Sequence, residues 1–292
     1  MAAKATRKVL MLHGQVAVRA ERDDLQQTGE RHAAIFSGTL RTHSVCQLGA
    51  LRKACAKDVE FVFVDAPYLL TPVDMANLNS NLNSSTRDDL GIEESAAVQD
   101  PALSPRGWWT VQGNRNVTMG LEESLSTLRD VLAKGRYDGV FGFSQGAAMA
   151  VLLAALLERP EVHAPFLIDG QPPHPPLQFC VSVASFRPQS PLCDSILLPS
   201  FSTPTLFILG KTDVVVVEER SKRVIDLSTH KRVEYHDGGH FVPSKAPWRK
   251  FLRSYIRDPT GDITSPGPSA VSENPSETST PIQFEGTTAG AT

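Results

Sequence analysis

Several features that mark other classes of protein are scarce in this 292-residue chain. It has only four cysteines, and their spacing suits neither a metal site nor a disulfide framework. Lys and Arg number 29 against 32 Asp and Glu, so no basic excess is available for nucleic acid or a membrane anchor. Apolar runs are too short for a signal peptide or a membrane span, and no nucleotide-binding glycine pattern occurs. We therefore expect a cytoplasmic protein with no metal, no cofactor, and no nucleic-acid or membrane partner.

What the chain does contain is a regular alternation of short apolar runs and helical patterns. The predicted strands are 8–13, 59–67, 139–143, 179–184, 205–210 and 232–236. Most are continuously apolar, as is typical of strands covered by helices on both faces. The predicted helices are 48–56, 120–135, 146–158, 217–228 and 247–256. This alternation predicts an α/β domain with a doubly wound, mostly parallel sheet and helices on both faces.

Three segments lie outside this alternation. Residues 15–42 form a charged connection that is unusually long for its place after the first strand. Residues 71–116 are rich in Asn, Ser, Asp and Gly, and we expect a lid-like excursion over the sheet edge. Residues 258–292 contain no Lys or Arg and few apolar side chains, so a disordered tail is predicted there. The single domain is expected to span residues 1–257.

A serine stands where one buried strand should pass directly into a buried helix. Residues 142–146, Gly-Phe-Ser-Gln-Gly, match G-x-S-x-G, the nucleophile elbow of α/β-hydrolases. Such a turn pushes the Ser144 oxygen beyond the strand end, and the flanking glycines remove Cβ atoms that would collide. The N–H of Gln145, at the helix N-terminus, would then face a developing oxyanion. The alternative is that Ser144 is only the N-cap of the helix.

A serine nucleophile needs a histidine base, which follows the serine along the chain in this fold. His240 lies in a glycine-rich loop just after the last predicted strand, so it is the preferred base. His236 falls inside that strand and is expected to be structural. His174 lies between prolines and is expected on a surface loop. His13 precedes the serine and is interpreted as a residue that shapes the end of the first strand.

An acid must orient the histidine, and Asp213 is the preferred candidate. It follows the strand at 205–210, where a carboxylate can reach a histidine on the neighbouring loop. Asp169 and Asp194 have no comparable strand before them. The alternative for Asp213 is a turn residue that caps the next helix. Ser144, Asp213 and His240 occur in the order expected of this fold, and each follows a predicted strand, which favours a catalytic triad over the alternative.

With these motifs, the chain resembles the FSH-type serine hydrolase family, an α/β-hydrolase branch that includes fungal members and the ovarian-cancer-associated hydrolases. The matching pieces, between residues 8 and 256, are LMLHG, LGALRKAC, FVFVDAPY, RGWWTV, YDGVFGFSQGAAMA, LFILGKTDVVV and GGHFVP. The resemblance implies an α/β-hydrolase fold and an esterase or thioesterase with Ser144 as nucleophile, Asp213 as orienting acid and His240 as base. Fungal relatives often act in secondary metabolism. This implies a small-molecule or carrier-bound acyl substrate of the polyketide type, with a polyketide synthase as candidate partner.

One part of the chain departs from the family pattern. In the family, a short loop after HG supplies the second oxyanion N–H, whereas this chain holds an insertion of roughly 20 to 25 residues between Gln15 and Cys46. Gln15 or Val16 is the expected second donor beside Gln145. Two origins of the insertion stay open, a native elaboration of the pocket rim and a translated intron from an imperfect gene model.

The substrate side rests on a small set of apolar residues. The candidates for lining an acyl pocket are Tyr68, Leu69, Leu70, Trp108, Trp109 and Phe241. The alternative for the two tryptophans is that they close the edge of the core. Two other functions stay open, an acyltransferase that uses the same triad and a non-catalytic acyl-binding or scaffold protein. The oligomeric state is left open as well.

Overall fold

The computed structural model describes residues 6–14, 43–70, 106–112 and 117–267. The helices in these ranges are α1 (His43–Cys55), α2 (Leu121–Leu132), α3 (Gln145–Glu158), α4 (Pro191–Leu197), α5 (Glu218–Ile225) and α6 (Ala246–Arg257), with 3₁₀ helices at Pro160–Val162 and Ala164–Phe166. The strands are β1 (Arg7–Leu12), β2 (Val59–Val64), β3 (Tyr68–Leu69), β4 (Arg106–Gly107), β5 (Thr110–Gln112), β6 (Val117–Met119), β7 (Gly139–Phe143), β8 (Phe179–Val183), β9 (Thr205–Gly210) and β10 (Lys231–His236). No helix in these ranges combines the length and the apolar composition that a bilayer crossing needs.

Six strands form one parallel sheet in the order β10-β9-β8-β7-β1-β2. The chain adds β2 on one side of β1 and then returns to build β7 to β10 on the other side. In open α/β sheets such a switch point leaves a crevice at the carboxyl ends of the two central strands. His13, after β1, and Ser144, after β7, therefore lie at the same edge of the sheet.

Side chains from the strands alternate between two cores, one on each face of the sheet. In β1, Leu10 and Leu12 belong to the core under α2, α3, α4 and α5, whereas Val9 and Met11 belong to the core under α1 and α6. Every residue of α3 from 145 to 157 is buried, as expected of a helix that is apolar all round. The predicted α/β-hydrolase fold, with a mostly parallel sheet covered on both faces, is confirmed.

The described elements differ in length from the predicted ones at several places, and β2, α2 and α5 are shorter than the predicted 59–67, 120–135 and 217–228. Helix α1 begins at residue 43, before the predicted start at 48. Helix α4 was not predicted; it has only seven residues, with Ser190 at its N-cap and Pro191 in its first turn. The short antiparallel pairs β3–β4 and β5–β6 lie at the borders of the predicted excursion. Its residues 71–105 and 113–116, like the predicted insertion at 15–42, lie outside the described ranges.

His174 lies in the interior, so the prediction of a surface loop for it was wrong. The residue is only 3% exposed. Its Nε2 accepts the backbone N–H of Tyr137 at 2.9 Å, and its Nδ1 donates to the Pro175 carbonyl at 2.6 Å. The flanking prolines do form a loop, but both ring nitrogens bind the backbone and hold that loop against the domain.

The chain continues to contact the domain after α6. Ile263 packs against the core beneath α1 and α6, and the Ser265 hydroxyl donates to Glu234 on β10 at 2.7 Å. These contacts place residues 258–267 on the domain, although the tail was predicted to begin at 258. The remaining predicted tail, 268–292, lies outside the described residues.

Candidate active site

The turn between β7 and α3 holds Ser144 in a strained backbone conformation. Its φ is 53° and its ψ is −121°, and a positive φ is uncommon for any residue other than glycine. A Cβ on Gly142 would overlap the backbone of Gly146, and a Cβ on Gly146 would overlap the carbonyl oxygens of Leu12 and His13. Glycine at both positions is what lets α3 begin so close to β7 and to the end of β1.

The backbone and the side chain of Ser144 have different roles. The carbonyl oxygen accepts the N–H groups of Ala147 at 2.9 Å and Ala148 at 3.1 Å, so the residue does start the helix. The side chain makes no capping hydrogen bond. Its Oγ lies instead 3.0 Å from Nε2 of His240. The N-cap alternative is therefore correct for the backbone and does not account for the hydroxyl.

Three side chains from three strand ends form one hydrogen-bonded chain. Nδ1 of His240 lies 2.8 Å from Oδ2 of Asp213, and a carboxylate at that distance requires the proton to be on Nδ1. Nε2 is then the acceptor for the Ser144 hydroxyl, as a general base must be. The side chains of His240 and Asp213 are 3% and 1% exposed. The ring of Phe143 packs 4.9 Å from the imidazole and limits its movement.

Asp213 uses its two carboxylate oxygens for two purposes. Oδ1 accepts the backbone N–H groups of Val215 and Val216, each at 2.9 Å, which is the turn-forming role considered as the alternative. Oδ2 contacts His240. The turn fixes the carboxylate, and the fixed carboxylate in turn orients the imidazole.

The side chain of Gln145 joins the serine turn to the segment that carries the two tryptophans. Its Oε1 accepts the N–H of Trp108 at 2.7 Å, and its Nε2 donates to the carbonyl of Trp109 at 2.9 Å. Ser124 on α2 donates to the Trp108 carbonyl at 2.5 Å. Gln145 is only 3% exposed, so its amide and these backbone groups satisfy each other away from water.

His13 is held by backbone groups on both sides of its ring. Its Nδ1 donates to the Gly14 carbonyl at 2.5 Å, and its Nε2 accepts the N–H of Ala66 at 3.1 Å. Burial is the largest influence on this imidazole and lowers its pKa below the ordinary value of 6.5. The backbone carbonyl of His13 accepts the indole N–H of Trp108 at 2.9 Å. This neutral ring with both nitrogens occupied fits the predicted role of shaping the strand end.

The expected oxyanion donors fall partly inside the described chain. The N–H of Gln145 is at the first position of α3, where helix geometry offers it no intrahelical acceptor. Gln15 and Val16 lie outside the described residues. Gly14, just before them, passes beside Ser144, since an added Cβ would be 3.1 Å from Cβ of Ser144. The chain therefore enters the 15–42 segment next to the serine hydroxyl.

The predicted pocket residues differ widely in exposure. Trp108 and Trp109 are 0% and 2% exposed and belong to the core, whereas Phe241 is 41% exposed and packs on the His236 ring at 4.8 Å. Leu69 is exposed and Leu70 is buried. Partial burial and the Glu123 carboxylate, which accepts its hydroxyl, raise the pKa of Tyr68 to about 12. Contact of any of these residues with a substrate stays a prediction.

The side-chain role of Gln145 is the feature that the sequence did not indicate. The motif suggested a role only for the backbone N–H of Gln145, because the x positions of G-x-S-x-G accept many residue types. The available signal was a polar residue at the start of an otherwise apolar helix. Its partners are 36 and 37 positions away in the chain, so only the folded arrangement identifies them.

The family model described as "Serine hydrolase (FSH1)" matches residues 32–252. The chain belongs to this serine hydrolase family. Esterase OVCA2 of Bos taurus and that of Homo sapiens are each 32% identical over 219 residues, covering 71% of this chain and 86% of theirs. A Schizosaccharomyces pombe protein named dihydrofolate reductase is 30% identical over 216 residues, but the chain spans only 43% of its length.

Solved structures agree with the fold. Acyl-protein thioesterase 2 of Zea mays has a TM-score of 0.50 and 16% identity, covering 87% of this chain and 96% of its own. SOBER1 of Arabidopsis thaliana has a TM-score of 0.51 and 15% identity, with 87% and 98% covered. At these identities the likeness concerns the α/β-hydrolase fold alone. Membership of an esterase family comes from the sequence matches.

Proposed function

We propose that the protein hydrolyses an acyl ester or thioester through an acyl-enzyme on Ser144. The observation that carries this proposal is the hydrogen-bonded chain from Ser144 through His240 to Asp213. Oγ would lose its proton to Nε2 of His240 while attacking the carbonyl carbon, and Asp213 would stabilise the imidazolium. The leaving alcohol or thiol takes that proton. Water deprotonated by the same nitrogen then releases the acid and restores Ser144.

The developing oxyanion would be bound by backbone N–H groups. Gln145 supplies one of them at the N-terminus of α3, where the helix dipole also favours negative charge. Gln15 or Val16 is proposed as the second donor, which the position of Gly14 beside Ser144 supports. The Gln145 side chain and the Trp108 indole hold the two sides of this site together.

A polyketide-type acyl substrate in fungal secondary metabolism is the context proposed for this reaction. It is supported by the resemblance of the motifs to the fungal branch of the family, and the related OVCA2 proteins are named esterases. A cytoplasmic location is part of the same proposal. It is supported by the described cysteines Cys55, Cys180 and Cys193, which are buried free thiols, as is usual in a reducing compartment.

The proposal is tested by turnover of p-nitrophenyl butyrate and of octanoyl-N-acetylcysteamine, a small thioester. We expect the wild-type protein to hydrolyse at least one of them, and Ser144→Ala to lower kcat by about 10³-fold or more. Asp213→Asn is the sharper variant, because Asn can still accept from Val215 and Val216 but cannot accept from Nδ1 of His240. We expect it to lower kcat by about 10² to 10⁴-fold while the unfolding temperature changes little. Equal turnover in Ser144→Ala and wild type would refute the assignment.

A further inference from the structure

The turns after β9 and β10, which carry the acid and the base of the candidate triad, are joined along their backbones. The N–H of Lys211 donates to the His236 carbonyl at 2.9 Å, and the N–H of Thr212 donates to the Gly238 carbonyl at 3.2 Å. These bonds extend the pairing of β9 with β10 past the end of β9. The position of the base relative to its acid therefore depends on how the turn after β10 is held.

The turn after β10 has little rigidity of its own. It contains two consecutive glycines, Gly238 and Gly239, just before His240, and glycine has the most backbone freedom to lose when a turn is ordered. An ion pair crosses the two turns, with Nζ of Lys211 2.6 Å from Oδ1 of Asp237. Both side chains are exposed, and pairs of this kind contribute little to stability. The turn therefore needs buried contacts to hold it in one conformation.

His236, the last residue of β10, supplies such contacts. It is only 5% exposed, and its Nδ1 accepts the N–H of Gly238 at 3.2 Å. The centre of its ring lies 4.8 Å from that of the Phe241 ring and 6.0 Å from that of Trp248 on α6. A Cβ on Gly238 would overlap the Phe241 ring. Residues on both sides of His240, Gly238 and Phe241, thus contact one buried imidazole.

The hydrogen bond from Gly238 fixes the state of the His236 ring. A backbone N–H can only donate, so Nδ1 is unprotonated and the proton of the neutral ring is on Nε2. Desolvation by burial lowers the pKa of His236 below 6.5, while the nearby carboxylates of Asp213 and Asp237 act in the opposite direction. The neutral form, which accepts from Gly238, is therefore the form present at neutral pH.

We propose that His236 is a positioning residue, which holds the turn after β10 so that Nε2 of His240 reaches the Ser144 hydroxyl. The inference rests on the proposed serine hydrolase mechanism and gives His236 a role beyond packing. Gly238 is only two residues before the base, so a turn that has lost its bond to His236 can carry the imidazole out of its 3.0 Å contact with Ser144. A displacement of about 1 Å can lower turnover by about 100-fold.

Two substitutions of similar shape separate the acceptor from the ring. His236→Asn keeps an oxygen near the position of Nδ1 that can accept from Gly238, whereas His236→Leu has no acceptor. Both lose the ring contacts, and a buried Leu costs less than a buried Asn. Stability should therefore favour the Leu variant, whereas positioning should favour the Asn variant. His236→Phe, which keeps an aromatic ring without an acceptor, gives the same comparison with wild type where loss of the ring unfolds the protein.

His174→Leu is the matched control at the other end of the sheet. His174 is also buried, and its Nε2 accepts the backbone N–H of Tyr137 at 2.9 Å. Tyr137 precedes β7, whereas Ser144 follows it. The control therefore removes the same kind of hydrogen bond from a buried imidazole without contacting the candidate site.

Turnover of p-nitrophenyl butyrate and unfolding in urea are measured for each variant. We expect His236→Leu and His236→Phe to lower kcat by about 10- to 100-fold, with KM within about threefold of wild type. His236→Asn should keep kcat within about threefold of wild type, although it is less stable than His236→Leu. The control should lose stability and keep the wild-type kcat.

A second readout does not depend on turnover. The proton on Nδ1 of His240, which is hydrogen-bonded to Asp213, should give a downfield resonance in the proton NMR spectrum, assigned by its loss in His240→Gln. We expect this resonance at the wild-type position in His236→Asn and in the control, and shifted or broadened in His236→Leu and His236→Phe. If the wild type hydrolyses no substrate, the proposed function fails, while the resonance still decides whether His236 holds His240.

Three outcomes overturn the inference. An unchanged kcat and an unchanged resonance in both acceptor-free variants would show that the turn holds without His236. A kcat that follows stability, and is therefore lower in His236→Asn than in His236→Leu, would assign His236 to packing alone. An equal loss of kcat in His174→Leu would show that any buried imidazole has the same effect.

Discussion

The backbone and the side chain of Gln145 have different roles at the candidate site. Its backbone N–H, at the start of α3, is the proposed oxyanion donor, while its side-chain amide is hydrogen-bonded to the backbone of Trp108 and Trp109. The Trp108 indole then reaches the carbonyl of His13, at the entrance to the segment with the second expected donor. One buried amide thus connects the two strands between which the crevice opens.

Replacing Gln145 by Glu tests this connection. The carboxylate can still accept from the Trp108 N–H but cannot donate to the Trp109 carbonyl, which would face a negative charge without a donor. We expect the free energy of unfolding in urea to fall by about 1 to 3 kcal/mol and kcat for p-nitrophenyl butyrate to fall more than KM changes.

The exposed Gln171 provides the matched control for this substitution. Gln171→Glu makes the same chemical change on the surface, so we expect stability to change by no more than about 0.5 kcal/mol and kcat to stay at the wild-type value. Equal effects of the two variants would show that the Gln145 amide does not hold the site.

Some residues of the candidate site could be identified from the sequence and others could not. Ser144, Asp213 and His240 could be proposed because each follows a strand, and parallel strands bring their carboxyl ends to one edge. The structure brings the three together, and their catalytic roles stay a prediction. The partners of Gln145 and the burial of His174 could not be predicted, because they depend on loop contacts between residues distant in sequence.

At the scale of elements, α3 packs closely against β1 and β7. Gly146 lies where a Cβ would overlap the Leu12 and His13 carbonyls, whereas a Cβ on Gly49 of α1 has nothing within 4 Å. We expect Gly146→Ala to push α3 off the sheet, lowering stability by several kcal/mol, on the scale of overpacked cores, and abolishing turnover.

Gly49→Ala is the control for Gly146→Ala, because it adds the same methyl group to open space in a helix. Since Ala favours a helix over Gly by up to about 1 kcal/mol, we expect unchanged or slightly higher stability and unchanged turnover. Thermal unfolding followed by circular dichroism compares the two variants. Equal stability of both would contradict the close approach of α3 to β1.

The elements that could be predicted are those whose pattern is independent of tertiary contacts. The continuously apolar runs of β7 and β9 matched their strands at both ends. Helix α4 was missed because a seven-residue segment that follows a serine and begins with a proline resembles a loop in sequence. The pair β3–β4 joins residues 68–69 to 106–107, and a pairing of two residues per strand leaves no periodic signal.

For the molecule as a whole, buried histidines link stability to pH. Burial lowers the pKa of His13, His163, His174 and His236 below 6.5, chiefly through desolvation of the charged ring. The unfolded chain therefore takes up protons first as the pH falls below about 6.5. Stability is fully present above that pH and declines below it, by about 1.4 kcal/mol per pH unit for each proton bound only by the unfolded chain.

His174→Gln tests one of these groups. Gln can accept the Tyr137 N–H but does not titrate, so we expect the decline in urea stability between pH 6.5 and about pH 5 to become shallower, by no more than about one proton. The stability of each protein is referred to its own value at pH 8, where His174 is protonated in neither the folded nor the unfolded chain. An unchanged pH dependence would show that His174 does not contribute to the acid sensitivity.

The proposed mechanism requires Ser144 to be an activated nucleophile, and labelling with a fluorophosphonate probe tests this directly. The wild-type protein is treated with the probe, digested, and its modified residue is located by mass spectrometry. We expect a single adduct on Ser144, little or no labelling of Ser144→Ala, and slow labelling of His240→Ala, with all three proteins folded by circular dichroism. Labelling of Ser144→Ala at the wild-type rate, or an adduct on a different residue of the wild type, would contradict the account.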